Sequence, residues 1–382
     1  MEDLYFDIAT KLHFGIDTVS MLGVTARSIG ARAMLVYDPV HASNGVLEKT
    51  VVSLEQAGIS PIMFDEAGPF STSRCAEKGI ELVEKGQVQT VIGLGGISTL
   101  SYAKAVAGFA GTHKHLDSVF GQNEVEVKPL SFIGLPTSLR DPFLLTPRVL
   151  LVDARNRIPK IVAMKDFAAH TVIVDPVLSG HLSDTMVKSI GTDLLVQSIE
   201  GIFSTPSNFI TQSLFLRAID MSVEFLNQLA AGTPSAELVH KVCQAGLLSG
   251  LGFSMGRLGM ASAAGFAAKG LHQIPSSSVS ALMLPHLLEY ARTACPDRLL
   301  RIGPIVNPEV RGMDPAVASQ SIIESFRILL GKLNLPMRLS LYGIETKQLP
   351  LIARTAVDIG VNGYLPVPLS TESFLSVLKQ AL

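Results

Sequence analysis

Short apolar runs alternate with amphipathic stretches along the first half of the chain. The apolar runs are Ala33–Tyr37, Pro61–Phe64, Thr90–Leu94, Ser131–Leu135, Val149–Asp153 and Thr171–Val174. Between the first three, helical patterns cover Gly45–Ala57 and Thr72–Lys85. Continuous apolar runs bounded by turn residues are typical of strands that are buried on both faces. Strands that alternate with helices at this spacing predict a parallel sheet with right-handed crossovers.

The pattern changes to a helical period after Asp175-Pro176. The helical stretches are Asp184–Phe203, Asn208–Ala231, Glu237–Leu251, Ser278–Ala294, Pro315–Lys332 and Leu349–Val357. No apolar run of comparable strength interrupts them as a strand would. We therefore expect an α/β domain with a Rossmann-like parallel sheet over residues 1–175. An all-helical domain is expected over 176–382, with a deep cleft between the two.

Composition agrees with two folded domains and excludes several partners. The chain has 382 residues, of which 47% are hydrophobic and 17% charged, so a large core is expected. A net charge of −2 without a long basic run argues against nucleic acid or an anionic membrane surface as partner. The mean hydropathy of +0.38 is high, but charged residues interrupt the apolar stretches, so we expect no membrane span. The excess apolarity favours a buried subunit interface instead.

The three cysteines and the first residues bear on location. Cys75, Cys243 and Cys295 are far apart and form no CxxC motif, as expected for packing residues in a reducing cytoplasm. The sequence begins Met-Glu-Asp without a basic segment followed by an apolar one, so we expect no secretory signal. Together these features predict a cytoplasmic protein.

The strongest local motif is the segment Thr90–Lys104, in which an apolar strand leads into a glycine-rich turn and then a helix near Ser98. Glycines let a phosphate approach the backbone, and the helix N-terminus supplies N–H groups and positive partial charge. The segment is neither GxGxxG nor a Walker A loop. Phosphate binding and a tight turn that needs glycine for packing alone are both compatible with it.

Several motifs in order resemble the iron-containing alcohol dehydrogenases of the dehydroquinate synthase-like superfamily. The glycine-rich segment is similar to their GGGSxxDxAK loop. The matching residues are Gly95, Gly96, Ser98, Ala103 and Lys104, whereas Ile97 and Ser101 depart from it. Leu135–Ser138 resembles the PTT segment, and Val174–Pro176 with Gly191–Glu200 resembles the DP…GxDALxHAIE segment. Leu284–Tyr290 is similar to the LPHVxxxN segment, with Ala291 in place of the usual Asn.

The resemblance implies that NAD or NADP binds in the cleft between the two domains. The residues placed at the cofactor are Asp38, Gly95, Gly96, Ser98, Thr137 and Ser138. A carboxylate at Asp38 can accept hydrogen bonds from a ribose and would repel a 2′-phosphate, which favours NAD. The alternative for Asp38 is a capping role before Pro39. The resemblance also implies a dimer formed through the N-terminal strands, so we expect a homodimer to which residues 1–40 contribute.

The metal site that the resemblance implies is altered in this chain. The family holds a divalent ion, often iron or zinc, with one Asp and three His. Asp193 matches the Asp, but the His positions carry Gln197, Ser262 and Ser276. Amide and hydroxyl oxygens are poor substitutes for imidazole at such an ion, so we expect no iron or zinc. A displaced site that uses His272, His181 or Glu200 is the alternative.

A second departure lies in the family's PTTxGTGSE segment. Here Arg140–Leu144 replaces Gly-Thr-Gly-Ser-Glu, which removes two glycines and introduces Pro142, Phe143 and Leu144. The bulky residues would narrow a nicotinamide pocket. Alternatively, Arg140 offers a new group for binding an anion.

Three functions follow as hypotheses. The first is an NAD(P)-dependent oxidoreductase acting on a small alcohol or aldehyde, in which His272, Lys160 or Arg140 polarises the oxygen in place of the metal. The second is a non-catalytic protein that binds a nucleotide or an anionic metabolite in the same cleft. The third is a related lyase or cyclase of the same superfamily. That chemistry also uses a metal held by His and Glu, so the missing ligands argue against it as much as against a metal-dependent dehydrogenase. The altered residues are those that carry the chemistry, so fold alone does not decide among them.

Overall fold

A computed structural model of the chain describes residues 8–68, 70–112, 115–180, 183–232 and 236–382. The chain divides into two compact units, Met1–Leu182 and Ser183–Leu382. Within the described residues, every strand belongs to the first unit, and the second unit is helical. The α/β-plus-helical fold class predicted from the hydrophobic pattern is therefore confirmed.

The first unit is built on a six-stranded parallel sheet. Its strands, in chain order, are β1 (Lys11–Phe14), β2 (Ala33–Tyr37), β3 (Ile62–Phe64), β4 (Thr90–Gly95), β5 (Ser131–Pro136) and, after a separate hairpin described below, β8 (Thr171–Val174). The spatial order is β1-β8-β5-β4-β2-β3, and every neighbouring pair runs parallel. The strands β4 and β8 are fully buried along their length, which explains their continuous apolar sequence.

Helices cover the sheet between the strands. The first unit contains α1 (Leu22–Ile29), α2 (Val46–Gln56), α3 (Ser73–Lys85), α4 (Ile97–Phe109) and α5 (Pro176–Ser179). Leu22 and Leu54 from the helices pack into one buried core cluster with Leu35, Ile92 and Ile133 from the sheet. Thr72 caps α3 by accepting a hydrogen bond from the N–H of Cys75, so this helix begins where a side-chain cap is available.

Three strands differ from the sequence-based expectation, because one predicted strand lies outside the main sheet and two strands were not predicted. The run near Val149 forms β6 (Arg148–Val152), which pairs antiparallel with β7 (Pro159–Ala163) in a separate two-stranded sheet. A short loop joins these strands, and Arg157 takes the left-handed conformation there (φ 63°). Strand β1 was missed because the sequence KLHF mixes polar and apolar residues, as a sheet edge allows.

The division after Leu182, rather than after the predicted residue 175, has a local cause. The Asp175 side chain accepts hydrogen bonds from the N–H groups of Asp17 (3.2 Å), Val19 (3.1 Å) and Val177 (3.0 Å). These bonds attach α5 to the first unit although it follows the last strand.

The second unit is a bundle of helices. They are α6 (Asp184–Phe203), α7 (Phe209–Ala231), α8 (Ala236–Gly252), α9 (Met260–His272), α10 (Ser276–Ala294), α11 (Pro296–Val306), α12 (Pro315–Lys332), α13 (Leu349–Ala356) and α14 (Thr371–Gln380). Helix α6 packs against α7, α9 and α10. Helices α9, α11 and α14 were not singled out from the sequence, although the whole region was predicted to be helical. In α9 the sequence MASAAGFAAKGLH is apolar nearly all round, so it shows little of the amphipathic period that marks a surface helix.

The described residues also bear on the membrane and the cysteines. No helix among them combines the length and the apolarity that crossing a bilayer requires. Among the described residues, Cys75, Cys243 and Cys295 form no disulfide bond.

Candidate functional site

The strand order locates a candidate site in the first unit. The chain leaves β2 for β3 on one side and then returns to β4 on the other side of β2. At such a reversal of strand order the crossovers diverge to opposite faces, which leaves a crevice at the carboxyl ends of the two strands. The residues that follow β2 and β4 are therefore the first candidates for binding a ligand.

The turn after β4 brings uncapped backbone donors to this edge. Gly96 is the N-cap residue of α4, and no side chain caps the helix there. Gly95 has φ 154°, and a Cβ at Gly95 would lie 2.9 Å from the Cβ of Thr99 and 3.2 Å from the Cβ of Asp38. A side chain is therefore excluded at this close approach. The half-exposed Ser98 lies in the first turn of α4, where backbone N–H groups and the helix dipole favour an anion.

Asp38 follows β2 beside this turn. Its N–H donates to the carbonyl of Leu94 (3.0 Å), and its Oδ1 accepts from the N–H of Val40 (3.3 Å). The carboxylate thus caps the short 3-10 turn Pro39–Ala42, which is the alternative role that the sequence suggested for Asp38. The residue is half-buried at the same edge as Gly95, so the capping contact does not conflict with a role at a ribose.

Thr137 and Ser138 complete the edge from β5. The N–H of Thr137 donates to the carbonyl of Gly95 (3.0 Å). A Cβ at Gly96 would lie 3.1 Å from the Oγ of Ser138. Both residues are buried. The structure therefore brings the six residues predicted for the cofactor to the carboxyl ends of three neighbouring strands.

His41 was not singled out from the sequence, yet it lies at this edge. Its side chain is 1% exposed. Its Nε2 lies 3.1 Å from the Oγ1 of Thr137, and its Nδ1 lies 3.3 Å from the Nδ2 of Asn44. The available signal was a histidine in the turn after a predicted strand. Its partner Thr137 is 96 residues away along the chain, so only the fold reveals the contact.

A buried lysine holds the segment that departs from the family pattern. Lys104, on α4, donates to the carbonyls of Phe143 (2.6 Å), Thr146 and Arg148 (3.1 Å). The ammonium group has three donors, and these three bonds use all of them. Asp141 accepts from the N–H of Phe143 (2.9 Å) and is also buried.

Burial governs the ionisation of this pair. Burial lowers the pKa of Lys104, and the charge of Asp141 opposes that effect. Burial likewise raises the pKa of Asp141, opposed by the N–H of Phe143 and by the charge of Lys104. Each charge thus stabilises the other in surroundings that disfavour both. The sequence matched Lys104 to the family motif but assigned it no role.

The bulky residues of the departing segment pack inward. Phe143 and Leu144 are buried, and the Cδ1 of Leu144 would lie 2.9 Å from a Cβ at Gly134 of β5. Arg140 is half-buried, and its N–H donates to the carbonyl of Ser138 (2.7 Å). Arg140 is therefore two residues along the chain from Ser138, a residue of the candidate site.

The other two predicted catalytic residues belong to other elements of the fold. Lys160 is in β7, opposite Leu151. The pKa of Asp153 is lowered first by hydrogen bonds from Arg155 and also, to a smaller extent, by the charge of Lys160. These contacts connect Lys160 with the two-stranded sheet. His272 is the last residue of α9, and its Nδ1 lies 3.2 Å from the Nε2 of Gln348. Burial lowers the pKa of His272.

Helix α6 carries two of the four positions that the family resemblance assigned to metal ligands. Asp193 and Gln197 are one turn apart and both are buried. Ser262 lies in the first turn of α9, and Ser276 begins α10. The carbonyl of Ser276 accepts from the Oγ of Ser280 (2.9 Å).

The hydroxyl of Ser262 is engaged by Glu200. Glu200, on α6, accepts from the N–H groups of Ala261 (2.7 Å) and Ser262 (3.0 Å) and from the Oγ of Ser262. The carboxylate caps the N-terminus of α9 from the neighbouring helix, since Gly259 has no capping side chain. Burial raises the pKa of Glu200, and these hydrogen bonds oppose the rise.

These residues do not fit a tightly bound iron or zinc ion. One carboxylate, one amide and two hydroxyls make up the donor set, and one hydroxyl already donates to Glu200. Within the described ranges, no three His, Cys, Asp or Glu side chains cluster as metal ligands would. The alternative ligand His181 lies outside the described residues. His272 is ten residues from Ser262 on the same helix, about 15 Å along its axis.

The comparisons with known proteins agree with this fold along the whole chain. The sequence model of the family "Iron-containing alcohol dehydrogenase" matches residues 9–176, and that of "Fe-containing alcohol dehydrogenase family, C-terminal" matches 187–382. The two matches therefore cover the α/β unit and then the helical unit of this chain. The chain belongs to the iron-containing alcohol dehydrogenase family.

Individual relatives are distant but cover nearly the full length. The chain is 23% identical to 1,3-propanediol dehydrogenase of Citrobacter freundii over 372 residues, 96% of each sequence. It is 24% identical to alcohol dehydrogenase 4 of Saccharomyces cerevisiae, covering 92% of this chain and 91% of that sequence.

Solved structures agree on the fold. A 1,3-propanediol oxidoreductase superimposes with a TM-score of 0.91 at 22% identity, over 99% of this chain and 100% of that chain. The NADH-dependent butanol dehydrogenase A of Thermotoga maritima gives a TM-score of 0.90 at 20% identity, over 100% and 99%.

Proposed function

We propose that the protein is an oxidoreductase that transfers hydride between NAD and a small alcohol or aldehyde. The observation that carries the proposal is the Gly95–Gly96 turn, which opens α4 without a capping side chain where the strand order reverses. A dinucleotide pyrophosphate is the ligand that such a turn is suited to bind. Relatives named as dehydrogenases of alcohols, which match the chain over nearly its full length, support the reaction class.

The proposed reaction would exchange one hydride and one proton. Bound NAD⁺ would accept the hydride from the carbinol carbon, and the hydroxyl proton would leave to a base or to water. The products are an aldehyde, NADH and one proton. The half-buried Asp38 carboxylate supports NAD over NADP, because it would repel a 2′-phosphate.

Without a resident metal, a side chain must stabilise the negative charge on the oxygen. Arg140 is the strongest of the three candidates. It lies two residues after Ser138, its N–H donates to the carbonyl of Ser138 (2.7 Å), and a guanidinium offers a planar fork of donors to an oxygen atom. His272 is a weaker candidate because burial lowers its pKa and so disfavours the cationic acid. Lys160 is weaker because it lies in β7, in the separate two-stranded sheet, whereas Arg140 follows the segment that carries Thr137 and Ser138.

The proposed activity has a direct test. Purified protein with NADH and a panel of small aldehydes should show a fall in nicotinamide absorbance, with NADPH giving a lower rate. Arg140→Gln should lower kcat by at least about tenfold with a smaller change in the KM for NADH. Lys188→Gln, on the helical unit, is the control and should keep the wild-type rate. Turnover unaffected by Arg140→Gln would remove Arg140 from the chemistry.

We also propose that the protein as purified holds no iron or zinc at Asp193. Metal analysis of the wild type should give far less than one metal per chain, and chelator treatment should change neither unfolding nor activity. The combined variant Gln197→His, Ser262→His and Ser276→His restores the ancestral imidazoles. It should bind about one zinc per chain, and adding Asp193→Ala should abolish that binding. Stoichiometric iron or zinc in the wild type, lost in Asp193→Ala, would contradict the proposal.

A second candidate is a nucleotide-binding protein without catalysis. The specific observation in its favour is the hydroxyl of Ser262, which donates to Glu200 where the family places a metal ligand. Such a protein would bind NAD, or a smaller anionic metabolite near Arg140, yet turn over no member of the alcohol and aldehyde panel. Binding of NAD without turnover of any alcohol or aldehyde in the panel would favour this candidate over the oxidoreductase.

Two further expectations from the sequence remain proposals. A homodimer formed through residues 1–40 is supported by β1, which is an edge strand of the sheet, and by the exposed apolar side chains Ile16 and Val24. A cytoplasmic location is supported by three cysteines that form no disulfide bond among the described residues.

A further inference from the structure

The side-chain amide of Asn44 has a defined orientation. Its Oδ1 accepts a hydrogen bond from the N–H of Val46 (3.2 Å), the first residue of α2. A backbone N–H can only donate, so the oxygen of the amide must face Val46. The Nδ2 of Asn44 therefore faces the Nδ1 of His41, at 3.3 Å. This contact removes the usual ambiguity between the two ends of an asparagine amide.

The orientation of Asn44 in turn determines the tautomer of His41. The Nδ2 group of asparagine has donors only, so the Nδ1 of His41 must accept. A neutral imidazole then carries its hydrogen on Nε2. The Nε2–H group consequently donates to the Oγ1 of Thr137, at 3.1 Å. One backbone N–H, at Val46, thus sets the direction of two successive side-chain hydrogen bonds.

The hydroxyl hydrogen of Thr137 still needs a hydrogen-bond acceptor. It accepts from His41, so its own hydrogen must point elsewhere. Thr137 is 3% exposed, and no hydrogen bond among the described residues takes that hydrogen. Its N–H donates to the carbonyl of Gly95, which fixes it beside the glycine turn. A buried donor without an acceptor is costly, and an oxygen atom of a ligand would satisfy it.

We propose that His41 is a positioning residue that presents the Thr137 hydroxyl as a donor to a phosphate oxygen of the bound dinucleotide. The proposal rests on the proposed function, because it assumes that the dinucleotide occupies the glycine turn. His41 acts through Thr137 and does not touch the ligand. With the hydrogen on Nδ1, the Nε2 of His41 would instead accept from Thr137, and the donor would be lost to the ligand.

The tautomer is measured first, without any ligand. The full chain labelled with ¹⁵N histidine is studied by long-range proton–nitrogen NMR at pH 7.5, and the His41 signals are assigned with His41→Gln. Nε2 should show the shift of a protonated nitrogen and Nδ1 that of an unprotonated one. In Asn44→Asp, where the facing group only accepts, Nδ1 should become protonated. A wild-type His41 protonated on Nδ1 overturns the assignment.

Binding is measured second, by calorimetric titration of NAD⁺ into the same protein. Thr137→Val removes the hydroxyl at nearly constant volume and should weaken binding about tenfold. His41→Phe should weaken it about fivefold, because the Thr137 hydroxyl loses its fixed direction. His41→Gln keeps one donor toward Thr137 and one acceptor toward Asn44, so its affinity should stay within about twofold of the wild type.

The outcomes separate the two proposals. Equal NAD⁺ affinities in the wild type, Thr137→Val and His41→Phe would overturn the role of His41 while leaving the proposed function intact. Weak binding in both His41→Phe and His41→Gln would point to a purely structural role and also overturn it. A wild type that binds neither NAD⁺ nor NADP⁺ refutes the proposed function and, with it, the ligand role of Thr137. The NMR measurement still decides the tautomer in that case.

Discussion

Replacing Lys104 with methionine is expected to lower the free energy of unfolding by about 3–5 kcal/mol. Methionine keeps the length of the side chain but has no donor for the carbonyls of Phe143, Thr146 and Arg148. It also leaves the buried carboxylate of Asp141 without the positive charge that opposes its desolvation. An uncompensated buried charge costs more than the pair contributes, so the loss should be large.

Denaturant unfolding of three variants measures this effect. Lys104→Met combined with Asp141→Asn should recover part of the lost stability, because the second change removes the unpaired charge. Lys85→Met is the matched control, since Lys85 is exposed and forms only a surface pair with Glu81. Its stability should stay within about 0.5 kcal/mol of the wild type. A Lys104→Met variant as stable as Lys85→Met would show that the buried pair is dispensable.

Replacing Gly96 with aspartate is expected to weaken dinucleotide binding at least about 100-fold while leaving the fold intact. Gly96 is the N-cap of α4, and aspartate is a favoured N-cap residue. The new carboxylate would accept the backbone N–H groups of the first turn and so compete directly with a phosphate. Its negative charge would also repel the pyrophosphate. A Cβ at this position meets only the Oγ of Ser138, at 3.1 Å, so little has to move.

The distinguishing result is the combination of two measurements. Calorimetry should show the loss of NAD⁺ binding, and thermal unfolding should show a melting temperature equal to or above that of the wild type. Gly331→Asp provides the control, because Gly331 is exposed in the helical unit and its Cβ would meet nothing within 4 Å. Undiminished NAD⁺ affinity in Gly96→Asp would move the dinucleotide away from the glycine turn.

The hydrophobic pattern determined most of the fold because the apolar residues of each element indicate how that element is buried. The strands β2, β4, β5 and β8 are central in the sheet and buried, so their runs were unambiguous. The pattern was weaker where burial is uneven, as in the edge strand β1. It also could not tell that β6 leaves the main sheet, because pairing partners depend on distant segments.

The motifs likewise determined the family and the backbone part of the candidate site. The glycine at 95 has a local reason to be there, since the turn into α4 leaves no room for a side chain at that position. The assignment of Gln197, Ser262 and Ser276 to the family's metal-ligand positions comes from the motifs alone and stays a prediction.

Only the tertiary structure decided how polar side chains are shared. Glu200 was readable as a spare metal ligand, but its contact with Ala261 and Ser262 makes it the cap of another helix. Lys104 was a motif match without a role until its carbonyl acceptors, about 40 residues onward, surrounded it. The sequence signal of His41 was only its position in the turn after a predicted strand, and the fold gave it a partner by placing it against Thr137. A side chain's hydrogen-bond partners come from whichever segments the fold brings near, so one-dimensional spacing determines the helices, strands and donor types, and three-dimensional packing decides which of those donors remain for a ligand.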